Sequence, residues 1–258
     1  MLFRSRTAGT SLAGQVIGKA IIVDISRSFG EILEVNTKES WVRVEPGVIL
    51  DVLNNYLKPY NLFFGPETST ANRCMMGGML GNNACGSHSL IYGSTRDHTL
   101  EVNAILSDGE EVVFKDLTND DFFEKCELNS REGDIYRNLN KILSDKNKRN
   151  EIIKEYPHPD IKRRNTAYAL DLLALSQPFE PDGPPLNLSK LIAGSEGTLA
   201  FITEIKLNLV PIPPKHNALL CVHFHSLEDA FRANLIALKQ KPGAVELMDG
   251  TILELTRE

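Results

Sequence analysis

The sequence predicts a mixed α+β fold, with a large first unit over residues 1–214 and the start of a second unit over residues 215–258. Three observations support this prediction. Short β-branched runs alternate with segments whose apolar residues recur at helical spacing. Two glycine-rich segments interrupt this alternation in the first unit. A proline cluster at 211–214 follows a long strand pattern and marks the boundary between the units.

The first hundred residues are predicted to contain three strands and one helix. The β-branched run Ala20–Ile25 indicates a buried strand, Trp41–Val44 a second strand and Leu62–Phe64 a short third strand. Val48–Leu57 carries leucines at positions 50, 53 and 57, a spacing that predicts an amphipathic helix. No secondary element is predicted ahead of the small-residue loop Thr7–Gly14, where a complete domain would seldom begin.

The second half of the first unit begins with the clearest hairpin in the chain. Val102–Leu106 and Glu111–Phe114 are predicted strands joined through an Asp-Gly turn. Residues 118–155 are charged and helical in pattern, with Ser130 as a helix N-cap. Pro178–Pro185 predicts a surface loop, and Thr198–Val210 predicts a long strand.

The residues after the proline cluster are predicted to form a β-α-β sequence. Ala218–Phe224 and Ala244–Met248 are the predicted strands. The predicted helix between them, Ser226–Leu238, begins with Ser226 and has Asp229 three residues later, which is close to a capping box. This order indicates the opening of a second domain that does not close within the 258 residues.

The composition of the chain argues against several classes of protein. With 42% hydrophobic and 24% charged residues, the chain is typical of a soluble globular protein. A net charge of −6 argues against non-specific binding to nucleic acid or anionic lipid, since both need a basic surface. No apolar run approaches the roughly 20 residues that span a bilayer. The four widely spaced cysteines (Cys74, Cys85, Cys126 and Cys221) are predicted to be reduced thiols of a cytoplasmic protein.

The first glycine-rich segment offers the chemistry of an anion site. Thr7–Ser11 combines successive backbone N–H groups with small side chains and hydroxyls, a pattern that can bind a diphosphate through dipoles alone. It lacks the lysine of a Walker loop and the spacing of a Rossmann turn. By itself the segment is equally compatible with an ordinary flexible loop.

The second glycine-rich segment, Gly77–Gly93, indicates backbone that approaches a ligand closely, because a side chain at such positions would collide. Two separate segments of this kind suit a dinucleotide better than a single phosphate. Gly194–Leu199 is a third candidate, a tight turn that leads into the long strand, although a plain β-turn explains it as well.

Together these segments resemble the vanillyl-alcohol oxidase/p-cresol methylhydroxylase superfamily of FAD-linked oxidoreductases. Within it, they are most similar to the branch of D-lactate, glycolate and D-2-hydroxyglutarate dehydrogenases. The segments that carry the resemblance are Arg6–Gln15, Phe64–Glu67, Gly77–Gly93, Asn165–Asp171 and Ile192–Glu204. In addition, Val245–Asp249 is similar to the large members of the branch, in which a flavin part is fused to an iron–sulfur part.

The resemblance implies a two-subdomain FAD-binding domain over 1–214, without the family's first strand–helix unit, followed by an incomplete ferredoxin-like cap domain over 215–258. It implies FAD held non-covalently, since members that bond FAD use a histidine near the first loop and none precedes His88 here. Ala167 and Ala200 stand where the family often has glycine, so we expect slightly different turns there.

The resemblance also implies which residues contact the cofactor. The pyrophosphate is assigned to Thr7, Ala8, Gly9, Thr10, Ser11 and Gly14. The flavin and ribityl chain are assigned to Pro66, Ser69, Thr70, Gly77, Gly78, Asn83 and Gly86. The adenine and ribose are assigned to Glu196, Gly197 and Ile202.

The implied reaction of the intact parent is oxidation of a small D-2-hydroxy acid by hydride transfer to flavin N5. Electrons then pass to a quinone, an electron-transfer flavoprotein or an iron–sulfur domain. The protein is expected in the cytoplasm, or at the membrane periphery through its electron acceptor. The family's substrate arginine, acid–base histidine and metal-binding histidines lie in the cap. No catalytic residue and no metal ligand is therefore predicted in this chain, and any metal or iron–sulfur centre belongs to the rest of the parent.

Alternatives remain open at the level of the sequence. The chain can be a non-catalytic fragment with FAD affinity only, or part of a sugar oxidase or cell-wall precursor reductase of the same superfamily. His223 and His225 share one face of a predicted strand, but two histidines without a third ligand are more often surface or core residues. For His88 as well, a structural role is favoured over a place facing the flavin.

Overall fold

The computed structural model describes residues 3–158, 160–161, 163–165 and 168–257. Thr166 and Ala167 lie outside the described residues, so the expectation for the turn at Ala167 falls there as well. The first described element is β1 (Phe3–Arg6), which pairs in parallel with β2 (Ile21–Asp24).

Two predictions for this region are wrong. The loop that starts at Thr7 does follow a secondary element, β1. Most residues of this strand are polar, so its sequence lacks the apolar pattern that indicates a buried strand. The strand β2 forms as predicted but is not buried, since Ile21 is 42% exposed. The physical reason is that β1 and β2 form a sheet of only two strands, so each strand has one paired neighbour.

A five-stranded antiparallel sheet holds the core of the first unit. Its order is β3-β4-β8-β6-β7, so the late strand β8 lies between two early ones. The strands are β3 (Ile32–Asn36), β4 (Trp41–Val44), β6 (Thr99–Ile105), β7 (Glu111–Phe114) and β8 (Phe201–Asn208). The predicted strand at Trp41–Val44 and the predicted hairpin are confirmed, whereas β3 has no counterpart among the predictions.

Short helices follow β4 and cover the sheet. The predicted amphipathic helix is confirmed as α1 (Leu50–Leu57), and its three leucines are fully buried. A 3₁₀ turn (Lys58–Tyr60) leads into β5 (Leu62–Phe63), which pairs with β9 (Val210–Pro211). The next helices are α2 (Met76–Asn82), α3 (Ser89–Tyr92) and α4 (Thr95–His98).

Five further helices precede β8: α5 (Asn119–Glu127), α6 (Arg131–Leu143), α7 (Lys146–Glu155), α8 (Leu170–Ala174) and α9 (Ser189–Ile192). The N-cap predicted at Ser130 is confirmed, because its hydroxyl accepts a hydrogen bond from the backbone N–H of Gly133. Phe122 of α5 and Tyr136 of α6 are fully buried, with ring centroids 5.9 Å apart. Burial of these aromatic side chains fastens the helical segment to the core.

The residues after β9 differ from the prediction. Helix α10 (Leu227–Leu238) forms with Ser226 as its N-cap, as predicted, and α11 (Gly250–Leu255) follows. In contrast, neither 218–224 nor 244–248 is a strand. Among the described residues these two segments pair with no strand, and a β-strand exists only through its hydrogen-bonded neighbours. The ferredoxin-like cap therefore stays a prediction.

Candidate functional site

A cleft of ≈ 400 Å³ opens between the two-stranded sheet and helix α2. Three separate stretches of the chain form its walls: residues 4–25, residues 68–84 with α2, and residues 196–202 with the turn before β8. Its walls include apolar side chains beside hydroxyl groups and backbone. The apolar lining residues include Val16, Ile17, Ile22, Ile25, Met75, Met79 and Ile202.

Helix α2 approaches the side chain of Thr7 in the first loop closely at Gly78. A Cβ atom built on Gly78 would collide with the hydroxyl oxygen of Thr7. At the neighbouring position, a Cβ atom on Gly77 would lie 2.5 Å from Cβ of Pro46. The glycines of α2 thus let the helix backbone pack against protein at both positions, and only Gly78 faces the loop predicted to bind a diphosphate.

The C-terminal end of α2 is fastened to the turn before β8. The backbone N–H of Glu196 donates to the carbonyl of Gly81 at 2.9 Å, and the Asn82 side chain donates to Glu196 Oε1 at 2.8 Å. Arg4 of β1 donates to the main-chain oxygen of Glu196 at 3.2 Å. Glu196 and Gly197 have φ of 51° and 68°, so both lie in the left-handed region. Three distant parts of the chain therefore meet at one corner of the cleft.

The structure brings most of the predicted cofactor-contact residues together. Those that line the cleft are Thr7, Gly9, Thr10, Ser11, Ser69, Thr70, Gly77, Gly78, Glu196, Gly197 and Ile202. They come from all three groups assigned by the resemblance, although no contact with a cofactor tests the individual assignments. The predicted residues that do not line the cleft are Ala8, Gly14, Pro66, Asn83 and Gly86.

Asn83 and Gly86 have packing roles in the structure. Asn83 ends α2 in a left-handed conformation with φ of 52°, and its Oδ1 accepts a 2.8 Å hydrogen bond from the backbone N–H of Arg96. A Cβ atom on Gly86 would collide with the carbonyl of Glu67. Glycine at this position lets the chain after α2 pass close to the Pro66–Glu67 backbone.

Sequence reasoning missed three charged side chains at the cleft. Arg4, Arg6 and Arg73 all line it, although the first loop has no following lysine and was expected to act through dipoles alone. The residues lie outside the glycine patterns, on β1 and on the turn before α2. Their shared location depends on how β1 packs beside α2, and no local pattern carries this information.

Arg6 is partly neutralised by its neighbour on β2. Arg6 and Asp24 are paired in the strand register, and Nη2 of Arg6 lies 2.9 Å from Oδ2 of Asp24. Hydrogen bonds from Ser26 and from Arg6 hold the pKa of the Asp24 carboxyl well below its ordinary value. Asp24 is therefore charged at neutral pH and keeps the Arg6 side chain along the sheet.

Gln15 carries an unsatisfied group at the cleft. Its Oε1 atom is buried and has no hydrogen-bond partner among the described residues. A buried acceptor without a partner is costly, so a ligand that donates a hydrogen bond here would remove the cost. Together with apolar walls, hydroxyls and guanidinium groups, this fits a ligand that combines flat rings with polar and anionic parts.

The histidines form no metal site in the described part of the chain. Nδ1 of His88 is within hydrogen-bond distance of Glu67, and the structural role favoured by the sequence stays a prediction. His223 and His225 lie in the segment that is not a strand, so the expected shared face does not arise. Within the described ranges, no three His, Cys, Asp or Glu side chains are grouped so that they could hold a metal ion. The four cysteines are free thiols.

Residues 1–115 match the FAD binding domain family. This match confirms FAD as the predicted cofactor; its non-covalent attachment stays a prediction. Among the residues that the structure describes, no helix is long and apolar enough to cross a bilayer.

The chain is similar along its length to known dehydrogenases. It is 36% identical over 258 residues, its full length, to D-2-hydroxyglutarate dehydrogenase of Pantoea ananatis (strain AJ13355). It is 39% identical over 259 residues to the enzyme of the same name from Haemophilus influenzae. The glycolate oxidase subunit GlcD of Escherichia coli (strain K12) is 28% identical over 249 residues, which are 95% of this chain and 37% of GlcD. The resemblance to this branch that the motifs indicate is confirmed.

The chain spans about a quarter of the length of these two dehydrogenases, 24% in each case. Among solved structures, an alkyldihydroxyacetonephosphate synthase superposes with a TM-score of 0.51 at 16% identity, over 82% of this chain and 28% of the synthase. At this identity the similarity shows the fold alone, and it supports the predicted mixed α+β FAD-binding fold.

Proposed function

We propose that this chain binds FAD non-covalently in the cleft beside α2, as the flavin-binding part of a dehydrogenase that oxidises a D-2-hydroxy acid. The observation that carries the proposal is the convergence of three distant segments, 7–11, 77–78 and 196–197, on one cleft. Each segment alone has an ordinary structural explanation. Their meeting at one place supports a long ligand that touches all three.

Different residues of the cleft contact different parts of the cofactor. Hydroxyl and backbone N–H groups of Thr7–Ser11 bind the diphosphate, and the bare backbone at Gly78 leaves room beside them. The turn at Glu196–Gly197 and Ile202 contact the adenine and ribose. Ser69 and Thr70, on the opposite segment, hydrogen-bond the ribityl chain or the flavin edge.

In the proposed dehydrogenase, FAD supplies the hydride acceptor, flavin N5, while the protein supplies position and electrostatics. The cleft itself offers no group suited to take the proton from a substrate hydroxyl. Among its lining residues there is no histidine, and Glu196, the acid present, accepts a hydrogen bond from Asn82. The described cleft residues therefore bind and orient, and the acid–base groups belong elsewhere in the proposed enzyme.

The proposed division of the chain rests on the proline cluster at 211–214. Residues 1–214 form the FAD-binding domain, and residues 215–258 begin a ferredoxin-like substrate domain. The substrate class follows from the names of the relatives, which are D-2-hydroxyglutarate dehydrogenases and glycolate oxidase subunits. The electron acceptor is proposed to be a quinone, an electron-transfer flavoprotein or an iron–sulfur domain.

Cofactor release tests the proposal directly. The purified chain is incubated with FAD, FMN and NAD together, desalted and heated, and the released compound is identified by chromatography. We expect FAD, and acid precipitation should leave a colourless pellet because the flavin is not bonded to the protein. Release of FMN, of NAD or of nothing would contradict FAD binding, and a yellow pellet would contradict non-covalent attachment.

A further inference from the structure

The charges that line the cleft are unbalanced. Arg4 and Arg6 reach it from β1 and Arg73 from the turn before α2, whereas Glu196 is the acidic side chain among the described residues that line it. An excess of guanidinium groups in a concave site attracts anions, because the walls limit their screening by water. The ligand of this cleft should therefore carry negative charge.

The three arginines differ in what already binds them. Arg6 forms an ion pair with Asp24. Arg4 donates to a backbone oxygen, that of Glu196, and no carboxylate of the described residues forms an ion pair with it. Arg73 donates from Nη1 to the neighbouring amide oxygen of Asn72 at 2.9 Å, and no carboxylate of the described residues lies within ion-pair distance of it. Arg73 is thus an exposed cation in a cleft, with most of its donors unused.

The diphosphate of FAD is the group that matches this cation. In oxidised FAD the isoalloxazine, the ribityl chain and the adenosine are uncharged, and the diphosphate carries the negative charge. A planar guanidinium binds phosphate oxygens through two parallel hydrogen bonds, which are stronger than those between neutral groups. Gly78, only five positions after Arg73, directly faces Thr7 of the first loop.

We propose that Arg73, with Arg4 of β1, binds the diphosphate of FAD. Charge recognition in this cleft then depends on guanidinium groups in addition to the backbone of the first loop. The inference rests on the proposed FAD binding and adds a specific consequence: affinity should fall with salt concentration, and ADP should compete with FAD for the cleft.

Arg73→Gln tests the inference, with FAD affinity measured by calorimetry at several salt concentrations. We expect FAD binding to weaken by about tenfold, comparable to the loss of one charge-assisted hydrogen bond. The dependence of affinity on salt should become less steep, and ADP should lose affinity by a similar factor. Arg73→Lys keeps the charge and should retain a larger part of the affinity and of the salt dependence.

Arg27→Gln is the matched control, since Arg27 is exposed, lies outside the cleft and loses the same charge. It should bind FAD as the wild type does, and far-UV dichroism should show that all variants fold. Unchanged FAD affinity in Arg73→Gln would overturn the inference alone. So would weaker FAD binding with unchanged ADP competition, or no competition by ADP in the wild type. A wild-type chain that binds no FAD would instead overturn the proposed function.

Discussion

The side-chain amide of Asn82 donates a 2.8 Å hydrogen bond to Oε1 of Glu196, across 114 positions of the sequence. Asn82 is the last residue of α2, and Glu196 lies in the turn that precedes β8. The bond holds the glutamate side chain against the helix end, at a corner of the cleft that both residues line. It also fixes the direction of a negatively charged carboxylate at the edge of the cleft.

Removing this bond should weaken cofactor binding. In Asn82→Ala the carboxylate of Glu196 loses its donor and turns freely toward the cleft, so we expect FAD affinity to fall by about fivefold, or roughly 1 kcal/mol. Glu196→Ala in the same background should add less than its separate loss, because the two residues act as a pair. Asn138→Ala, on an exposed position of α6, serves as control. Strictly additive effects of the two cleft substitutions would argue against the pair.

Gly78→Val should damage the cleft more than it damages the fold. A β-branched side chain at this position meets the hydroxyl of Thr7 and forces the first loop away from α2. We expect FAD affinity to fall at least tenfold, about 1.4 kcal/mol, while the far-UV dichroism stays near that of the wild type. Gly30→Val is the control, because a Cβ atom on Gly30 meets nothing within 4 Å. Normal FAD binding by Gly78→Val would show that the contact with Thr7 is irrelevant to the cofactor.

The Arg6–Asp24 pair should stabilise β1 against β2 in a pH-dependent way. Because its pKa is lowered in the folded chain, Asp24 contributes stability above its ordinary pKa of 3.8, and this stability is lost as pH falls through the lower folded value. Asp24→Asn should therefore speed hydrogen exchange of the Ile21–Asp24 amides by the same factor at every pH from 5 to 8. The ratio to the wild-type rate should approach one under strongly acidic conditions. A ratio that changes between pH 5 and 8 would assign the effect to another group.

The 258-residue chain with FAD bound should not oxidise 2-hydroxy acids. Hydride transfer needs a base for the hydroxyl proton and a cation that holds the carboxylate near the flavin. The described cleft offers arginines but no histidine, and its acidic side chain is hydrogen-bonded. Anaerobic spectra with D-lactate and with D-2-hydroxyglutarate should show no loss of flavin absorbance, whereas dithionite reduces the same sample. Bleaching by either acid within minutes would place a catalytic base within this chain.

The sequence by itself determined the elements that depend on local chemistry. The leucine spacing of α1 places three side chains on one helix face, and all three are buried. The hairpin between β6 and β7 follows from its Asp-Gly turn, where Gly109 has φ of 92°. Ser130 and Ser226 begin helices because their hydroxyls bind backbone N–H groups within three residues. The glycine-dense segments likewise indicated where backbone must pass closely.

Only the tertiary structure decided what those glycines approach and which charges join them. Gly77 and Gly86 accommodate Pro46 and Glu67 of the same chain, whereas Gly78 alone of these three faces the first loop. Arg73 and Gln15 both line the cleft, where Oε1 of Gln15 is a buried acceptor without a partner among the described residues. Their positions depend on how β1, β2 and α2 pack together. The position of β8 between β4 and β6 is equally non-local. Residues 218–224 have strand composition without strand structure, because pairing requires a partner strand and composition cannot provide one.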